Sequence, residues 1–148
     1  MKKKLFQFVL SIASLFLYVN NAAAHCEIPC GIYDDEIRIN MVLEHIATIE
    51  KSMNQIMDIE KGEHHNSNQL VRWVMNKERH ADELQEIVTQ YFMTQRIKLD
   101  AKDYDKKLGV LHKMLIYSMK CKQTTDLSYV YKLRNLVKDF QALYFGGK

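Results

Sequence analysis

Residues that could ligate a metal stand close together in HCEIPCG, residues 25–31. His25 and Cys26 are adjacent, and Cys30 follows four residues later. The only proline of the chain, Pro29, lies between the two cysteines. Thiolate and imidazole are both good ligands for transition metals, so this spacing indicates metal binding.

Residues 1–24 have the layout of a secretory signal peptide. Three lysines begin the segment, an apolar run from Leu5 to Val19 follows, and small residues precede His25 at Ala22 and Ala24. The run is short for a transmembrane anchor, which needs about 20 apolar residues. We therefore expect cleavage after Ala24. His25 would then carry a free α-amine, whose ordinary pKa is about 7.7–8.0.

A new terminus at His25 would place several donors in sequence along the backbone. The amine of His25, the amide nitrogen of Cys26 and the Cys26 thiolate can close adjacent chelate rings on one ion. Cys30 can supply a second thiolate, because Pro29 restricts the backbone before it and Gly31 frees the backbone after it. Two nitrogens and two sulfurs in a plane favour Ni(II) or Cu(II) over zinc. The His25 ring stays available as an axial ligand.

Two simpler explanations of the cysteines compete with a metal site. A disulfide between Cys26 and Cys30 would enclose very little chain and so stabilise little. Alternatively, the two cysteines are incidental in an irregular terminus. Neither alternative accounts for the agreement between cleavage position, ligand order and turn residues.

The rest of the chain predicts an all-α fold, because five glycines and one proline favour long helices. A heptad seam predicts a first helix over 35–61, a second follows over about 69–98, and two more carry residues 108–119 and 129–143. We predict an up-and-down four-helix bundle over 34–148, preceded by an irregular metal-binding hook over 25–33. The predicted core positions are Ile39, Val42, Ile46, Ile49, Met53 and Ile56, then Leu70, Trp73, Val74, Ala81, Leu84, Ile87, Val88, Tyr91 and Phe92, then Leu108, Leu111, Leu115 and Met119, and finally Tyr129, Leu133, Leu136, Phe140 and Leu143.

Other potential ligands receive structural interpretations. The chain contains no Glu-x-x-His pair, no His-Glu-x-x-His motif and no glycine-rich phosphate loop. We interpret the other histidines as surface or partly buried side chains and Cys121 as a half-buried thiol. The histidines concerned are His45, His64, His65, His80 and His112.

The net charge of the chain excludes one class of partner. The charge of +3 equals the three signal-peptide lysines, so the remaining chain is nearly neutral and has no nucleic-acid-binding signature.

The sequence HCEIPCGIYDD closely resembles the nickel hook of the nickel-containing superoxide dismutases, H-C-x-x-P-C-G-x-Y. Every fixed position of that pattern is present. The stretch NQLVRWV, residues 68–74, is also similar to helix sequences of that family. The matching positions are His25, Cys26, Pro29, Cys30, Gly31 and Tyr33.

The resemblance implies an enzyme that converts superoxide to dioxygen and hydrogen peroxide, with one nickel ion per subunit cycling between Ni(III) and Ni(II). It implies that His25, Cys26 and Cys30 are the metal ligands. Tyr33 would order water or small anions beside the open face of the metal. The resemblance also implies a homohexamer of helical bundles.

Some expectations stay open at this stage. The resemblance implies that a carboxylate early in the first helix orients the axial histidine, but Asn40 falls near that place, between Glu36 and Glu44. Arg38 and Arg72 are candidates for attracting superoxide. The proton donor is either water held by Tyr33 or a cysteine-bound proton.

The signal peptide predicts a periplasmic or secreted protein, free of the membrane after cleavage, whereas family members often carry a short leader removed by a dedicated protease. Two alternative functions remain: a non-catalytic periplasmic nickel or copper binding protein, and a purely structural helical protein.

Overall fold

The computed structural model describes residues 34–62 and 66–146 and arranges them as a four-helix bundle. The helices are α1 (Asp35–Lys61), α2 (Ser67–Glu86), α3 (Tyr104–Gln123) and α4 (Ser128–Phe145), and a π-helical segment, Ile87–Arg96, continues α2. Each helix packs against the next one along the chain, and α4 packs back against α1. The described ranges contain no strand. The predicted all-α bundle is confirmed.

Helix α1 has the predicted bounds, and its seam faces the core. All six predicted seam positions are buried, from Ile39 at 1% exposed to Ile56 at 3%. Asp34 caps the helix, because its Oδ1 accepts a hydrogen bond of 2.9 Å from the Glu36 amide. The helix ends at Gly62, whose amide donates to the Ile59 carbonyl.

Helix α2 begins two residues earlier than predicted, because Asn66 is its cap. The Asn66 side chain accepts a hydrogen bond of 3.1 Å from the Gln69 amide. Val74 was predicted to be buried, and this prediction is wrong, since Val74 is 37% exposed. Helical spacing places Val74 on one face with Val71 and Met75, and both of those side chains are more exposed still.

The chain from Ile87 to Arg96 is π-helical, where an ordinary α-helix to Lys98 was predicted. Bonds across five residues mark the change: the Ile97 amide donates to the Phe92 carbonyl, and the Thr94 hydroxyl donates to the Thr89 carbonyl. Such segments are uncommon and frequently occur at functional sites. Here the segment buries Tyr91 and Phe92 side by side.

The last two helices turn somewhat different faces inward than predicted. Leu111, Leu133 and Phe140 are buried as expected, but Met119 is 37% exposed and the prediction for it is wrong. Leu108, Leu115, Tyr129 and Leu136 are partly buried and pack against the core. The buried face of each helix is displaced by about one residue from the predicted face. The buried residues at these neighbouring positions are Met114, Ser118 and Cys121 in α3, and Val130 and Val137 in α4.

The last two helices begin without a side-chain capping bond at the residue that precedes them. Asp103 precedes α3 with a positive φ of 56°, and its carboxylate pairs with Lys106. Before α4, Asp126 accepts a bond of 2.9 Å from the Ser128 amide. Within the described residues, no helix is both long and apolar enough to cross a membrane.

Candidate functional site

The predicted metal ligands His25, Cys26 and Cys30, together with Tyr33, lie outside the described residues. The structure does describe the point at which this stretch joins the bundle, since Tyr33 is bonded to Asp34. The N-terminal end of α1 is therefore the part of the bundle that the hook sequence adjoins along the chain.

A buried carboxylate, Asp35, organises that end of the bundle. Its side chain is 8% exposed. The Tyr91 hydroxyl donates a hydrogen bond of 2.7 Å to Oδ1, and Arg96 Nε donates one of 2.8 Å to the same oxygen. The Tyr144 hydroxyl donates a bond of 2.9 Å to Oδ2. Three elements, namely α1, the π-helical segment and α4, are thereby joined through one side chain, and we call these four residues the Asp35 clamp.

The protonation states within the Asp35 clamp are well defined at neutral pH. Burial opposes ionisation of Asp35, but the bonds from Arg96, Tyr91 and Tyr144 outweigh it and lower the pKa of the carboxyl. Burial and the bond to Asp35 raise the pKa of Tyr91 to about 12, and the same two causes raise the pKa of Tyr144. The clamp therefore holds an ionised carboxylate and two protonated phenols.

Aromatic packing supports the clamp from inside the bundle. The Phe92 ring meets the rings of Tyr91 and Phe140 edge to face, with centroids 5.1 and 5.0 Å apart. Phe140 also stacks on Tyr144 at 5.2 Å. These arrangements are favourable for aromatic pairs and restrict the rotation of both clamp tyrosines.

Of the two arginines proposed to attract superoxide, only Arg38 lies near the Asp35 clamp. It lies one turn into α1, and its guanidinium carbon is 5.1 Å from the centre of the Tyr91 ring. Arg72 is near the start of α2, where its neighbour Trp73 faces Lys51 of α1. Lys51 is sixteen residues beyond Asp35, or about 24 Å along the helix axis. The antiparallel pairing of α1 and α2 thus places Arg72 at the opposite end of α1 from Asp35, and its role stays a prediction.

The three positions considered as partners of the His25 ring are all exposed. Glu36, Asn40 and Glu44 follow one another at successive turns along the outer face of α1. None of them belongs to the Asp35 clamp.

The structure brings together two histidines that the sequence analysis treated separately. His45 of α1 and His80 of α2 approach within 2.8 Å between their Nδ1 atoms, and Glu83 Oε2 lies 3.4 and 3.5 Å from these two nitrogens. In the sequence, only the spacing of His80 and Glu83 pointed to this group, because residues three apart share a helix face. His112 is exposed, while His64 and His65 lie outside the described residues.

Cys121 is fully buried rather than half-buried. It is a free thiol in the core, and burial raises its pKa to about 11. A metal binds the thiolate form, so Cys121 is unsuited to ligation.

The comparisons with known proteins agree with the hook motif. Residues 20–148 match the family of nickel-containing superoxide dismutases. No curated protein and no solved structure was found to match the chain. The family match covers the hook sequence together with the whole described bundle, and it implies an oxidoreductase that acts on superoxide and carries a nickel cofactor in each subunit. The chain belongs to the nickel-containing superoxide dismutase family.

Proposed function

We propose that residues 25–33 form the nickel site of this superoxide dismutase. His25 would contribute its terminal amine and its ring; Cys26 would contribute its amide nitrogen and thiolate, and Cys30 its thiolate. This donor set suits nickel, which accepts both nitrogen and thiolate ligands. In the part of the chain that the structure describes, the one cysteine is buried with a raised pKa. That observation supports Cys26 and Cys30 as the source of the thiolates.

The reaction consumes two superoxide ions and two protons and yields one dioxygen and one hydrogen peroxide. Nickel, when bound, would supply the electron exchange by alternating between Ni(III) and Ni(II). Tyr33 would hold water or the anion beside the metal through its phenolic hydroxyl. The positive charge of Arg38, at the same end of the bundle, would attract the anionic substrate locally, because the chain without its signal peptide has no net charge to do so.

The observation that carries this proposal is the position of the Asp35 clamp directly after the hook sequence. Only Asp34 separates Tyr33 from Asp35, whose carboxylate is bonded to three side chains on two other elements. A ligand set needs a fixed support to keep its geometry through repeated turnover. The clamp would provide that support at the first residue of α1.

We also propose that residues 1–24 are removed during export, so that the enzyme acts in the periplasm or outside the cell and is not anchored in a membrane. A homohexamer is our proposal for the assembly. Exposed apolar side chains on α2 and α3 support it, since burial of apolar surface favours association. They are Val71, Val74, Met75, Ile116 and Met119. Membership of the family does not favour the alternative of a non-catalytic nickel or copper carrier.

The test is to compare hook variants with a cysteine variant outside the hook. Cys26→Ser and Cys30→Ser should lose the electron paramagnetic resonance signal of Ni(III) and reduce superoxide consumption to the level of nickel-free protein. Cys121→Ala, which removes the buried thiol, should keep both. Full activity in either hook variant would refute the proposed ligand set.

A further inference from the structure

A group of potential metal-ligating side chains lies between α1 and α2, away from the Asp35 clamp. We propose that His45, His80 and Glu83 form a binding site for a divalent transition metal ion such as zinc. We call these three residues the HHE cluster. His45 is ten residues beyond Asp35, or about 15 Å along the axis of α1, so the cluster is separate from the hook end of the bundle.

The spacing of the three donor atoms suits one metal ion. Zinc binds histidine nitrogen at about 2.0–2.1 Å, so neighbouring ligand atoms in a tetrahedral site lie about 3.3–3.5 Å apart. Glu83 Oε2 is 3.4 Å from His45 Nδ1 and 3.5 Å from His80 Nδ1. The two nitrogens are closer together, at 2.8 Å, which is the length of a hydrogen bond. Separating the two rings by about half an ångström would complete the triangle.

The chemistry of the cluster also favours a cation at its centre. A hydrogen bond between two Nδ1 atoms requires one ring to donate and the other to offer its lone pair. The ring that accepts this bond then has a nitrogen lone pair near the Glu83 carboxylate oxygen. A single proton therefore lies among three electron-rich atoms, the two Nδ1 nitrogens and Oε2. A divalent ion would engage all three atoms at once. Burial lowers the pKa of His45, which keeps this ring in the neutral form that binds metals.

Two rigid helices preorganise the cluster. His45 lies beside the buried seam residues Val42 and Ile46, and its own side chain is 12% exposed. His80 and Glu83 lie three residues apart on α2, on either side of the buried Ala81. Sites built on helices hold their geometry better than sites on loops.

The cluster is also open to solvent on one side. The His80 side chain is 24% exposed and that of Glu83 is 43% exposed. Water can therefore reach the remaining coordination positions, as in zinc sites with three protein ligands. Two imidazoles and one carboxylate, without thiolate, suit zinc and other divalent transition metals better than calcium or magnesium.

The first experiment is a zinc titration of the nickel-loaded protein by isothermal calorimetry, with metal analysis after dialysis. We expect one zinc per subunit in addition to the nickel. His80→Ala and Glu83→Gln should each weaken zinc binding at least about tenfold, which is the lower end of what even the loss of an outer-shell partner costs a metal site. His112→Ala, which removes an exposed histidine on α3, should bind zinc like the unmodified chain. Circular dichroism establishes that each variant is folded; Glu83→Gln, at a half-exposed position, keeps the test valid if His80→Ala does not fold.

A second experiment separates the cluster from the hook. Cobalt(II) added to Cys26→Ser/Cys30→Ser protein should bind with visible d–d absorption and without a thiolate-to-cobalt charge-transfer band. Zinc should raise the thermal unfolding midpoint of the same protein, and the added His80→Ala change should abolish the increase, because only the native helix pair presents the site. Absence of any zinc beyond the nickel, or equal zinc affinity in His80→Ala and His112→Ala, would overturn the proposal. Neither result would affect the hook.

Discussion

The Tyr91 hydroxyl donates a hydrogen bond of 2.7 Å to the carboxylate of Asp35, fifty-six residues away along the chain. This bond joins the π-helical segment to the first turn of α1, two residues after Tyr33. Arg96 and Tyr144 complete the set of donors around the same carboxylate. The fold thus fixes the first residue of α1, directly after the proposed metal-binding segment.

Replacing Asp35 tests the clamp directly. Asp35→Ala should lower the free energy of unfolding by about 3 kcal/mol, because removing one partner of a buried ion pair leaves the other charge uncompensated. This value is at the lower end for buried pairs, since the Arg96 side chain keeps 29% of its surface exposed. Guanidinium unfolding followed by circular dichroism measures the change. Asp139→Ala, at an exposed position of α4, is the control and should shift stability by less than about 0.5 kcal/mol. Equal effects in the two variants would contradict the role of the clamp.

The raised pKa of Tyr91 predicts a loss of stability in alkali. Burial and the bond to Asp35 raise the pKa to about 12 in the folded protein, whereas a tyrosine in the unfolded chain titrates near 10.0. The contribution is complete below pH 10 and is lost as the pH rises towards 12, because the unfolded state loses its proton first. Guanidinium unfolding between pH 9 and about 12 should show a steeper decline for the native chain than for Tyr91→Phe. Parallel curves would count against the assignment.

Lys77 of α2 offers a stability test outside the Asp35 clamp. Its buried ammonium donates hydrogen bonds to the carbonyls of Cys121 and Lys122, at the end of α3 where helix carbonyls lack partners. Lys77→Met would remove the charge and leave those carbonyls without their donor. We expect a loss of about 2 kcal/mol in the free energy of unfolding, within the range for hydrogen bonds to charged groups.

The control for Lys77 is Lys113→Met, which changes an exposed lysine of α3. It should leave the unfolding midpoint nearly unchanged. A Lys77→Met protein as stable as this control would show that the capping bonds contribute nothing net.

Removing nickel should expose the hook thiols to the reaction product. Peroxide oxidises accessible thiolates, so nickel-free protein treated briefly with peroxide should lose the thiols of Cys26 and Cys30. Cys121 should survive, because it is buried and burial raises its pKa to about 11. Thiol titration under denaturing conditions, with peptide mapping, distinguishes the three residues. Retention of all three thiols would contradict this prediction.

Much of the fold was predictable because one periodic pattern decides it. The seam of α1 predicted both helix ends and every buried apolar position, since a narrow apolar stripe has only one way to face a core. It did not predict the buried polar residues Asp35 and Ser52. The π-helical segment was not predictable in the same way. Its residues fit an α-helix equally well, and its bonds to Asp35 of α1 join residues that are distant in sequence.

The candidate sites also differ in how far they could be predicted from the sequence. The hook is a local motif, so its residues stand together in the sequence. The Asp35 clamp and the HHE cluster each join helices that are distant in sequence, and their members looked ordinary one at a time. His45 and His80, thirty-five residues apart, meet only because α1 and α2 pack antiparallel.

The most direct test of the account is native mass spectrometry of the protein recovered after export from nickel-supplemented cells. One spectrum reports the first residue, the bound metal and the number of subunits. We predict a chain that begins at His25, one nickel per subunit and a hexamer. A fully active nickel protein that retains a residue before His25 would contradict the central claim, because His25 would then have no terminal amine to offer the metal.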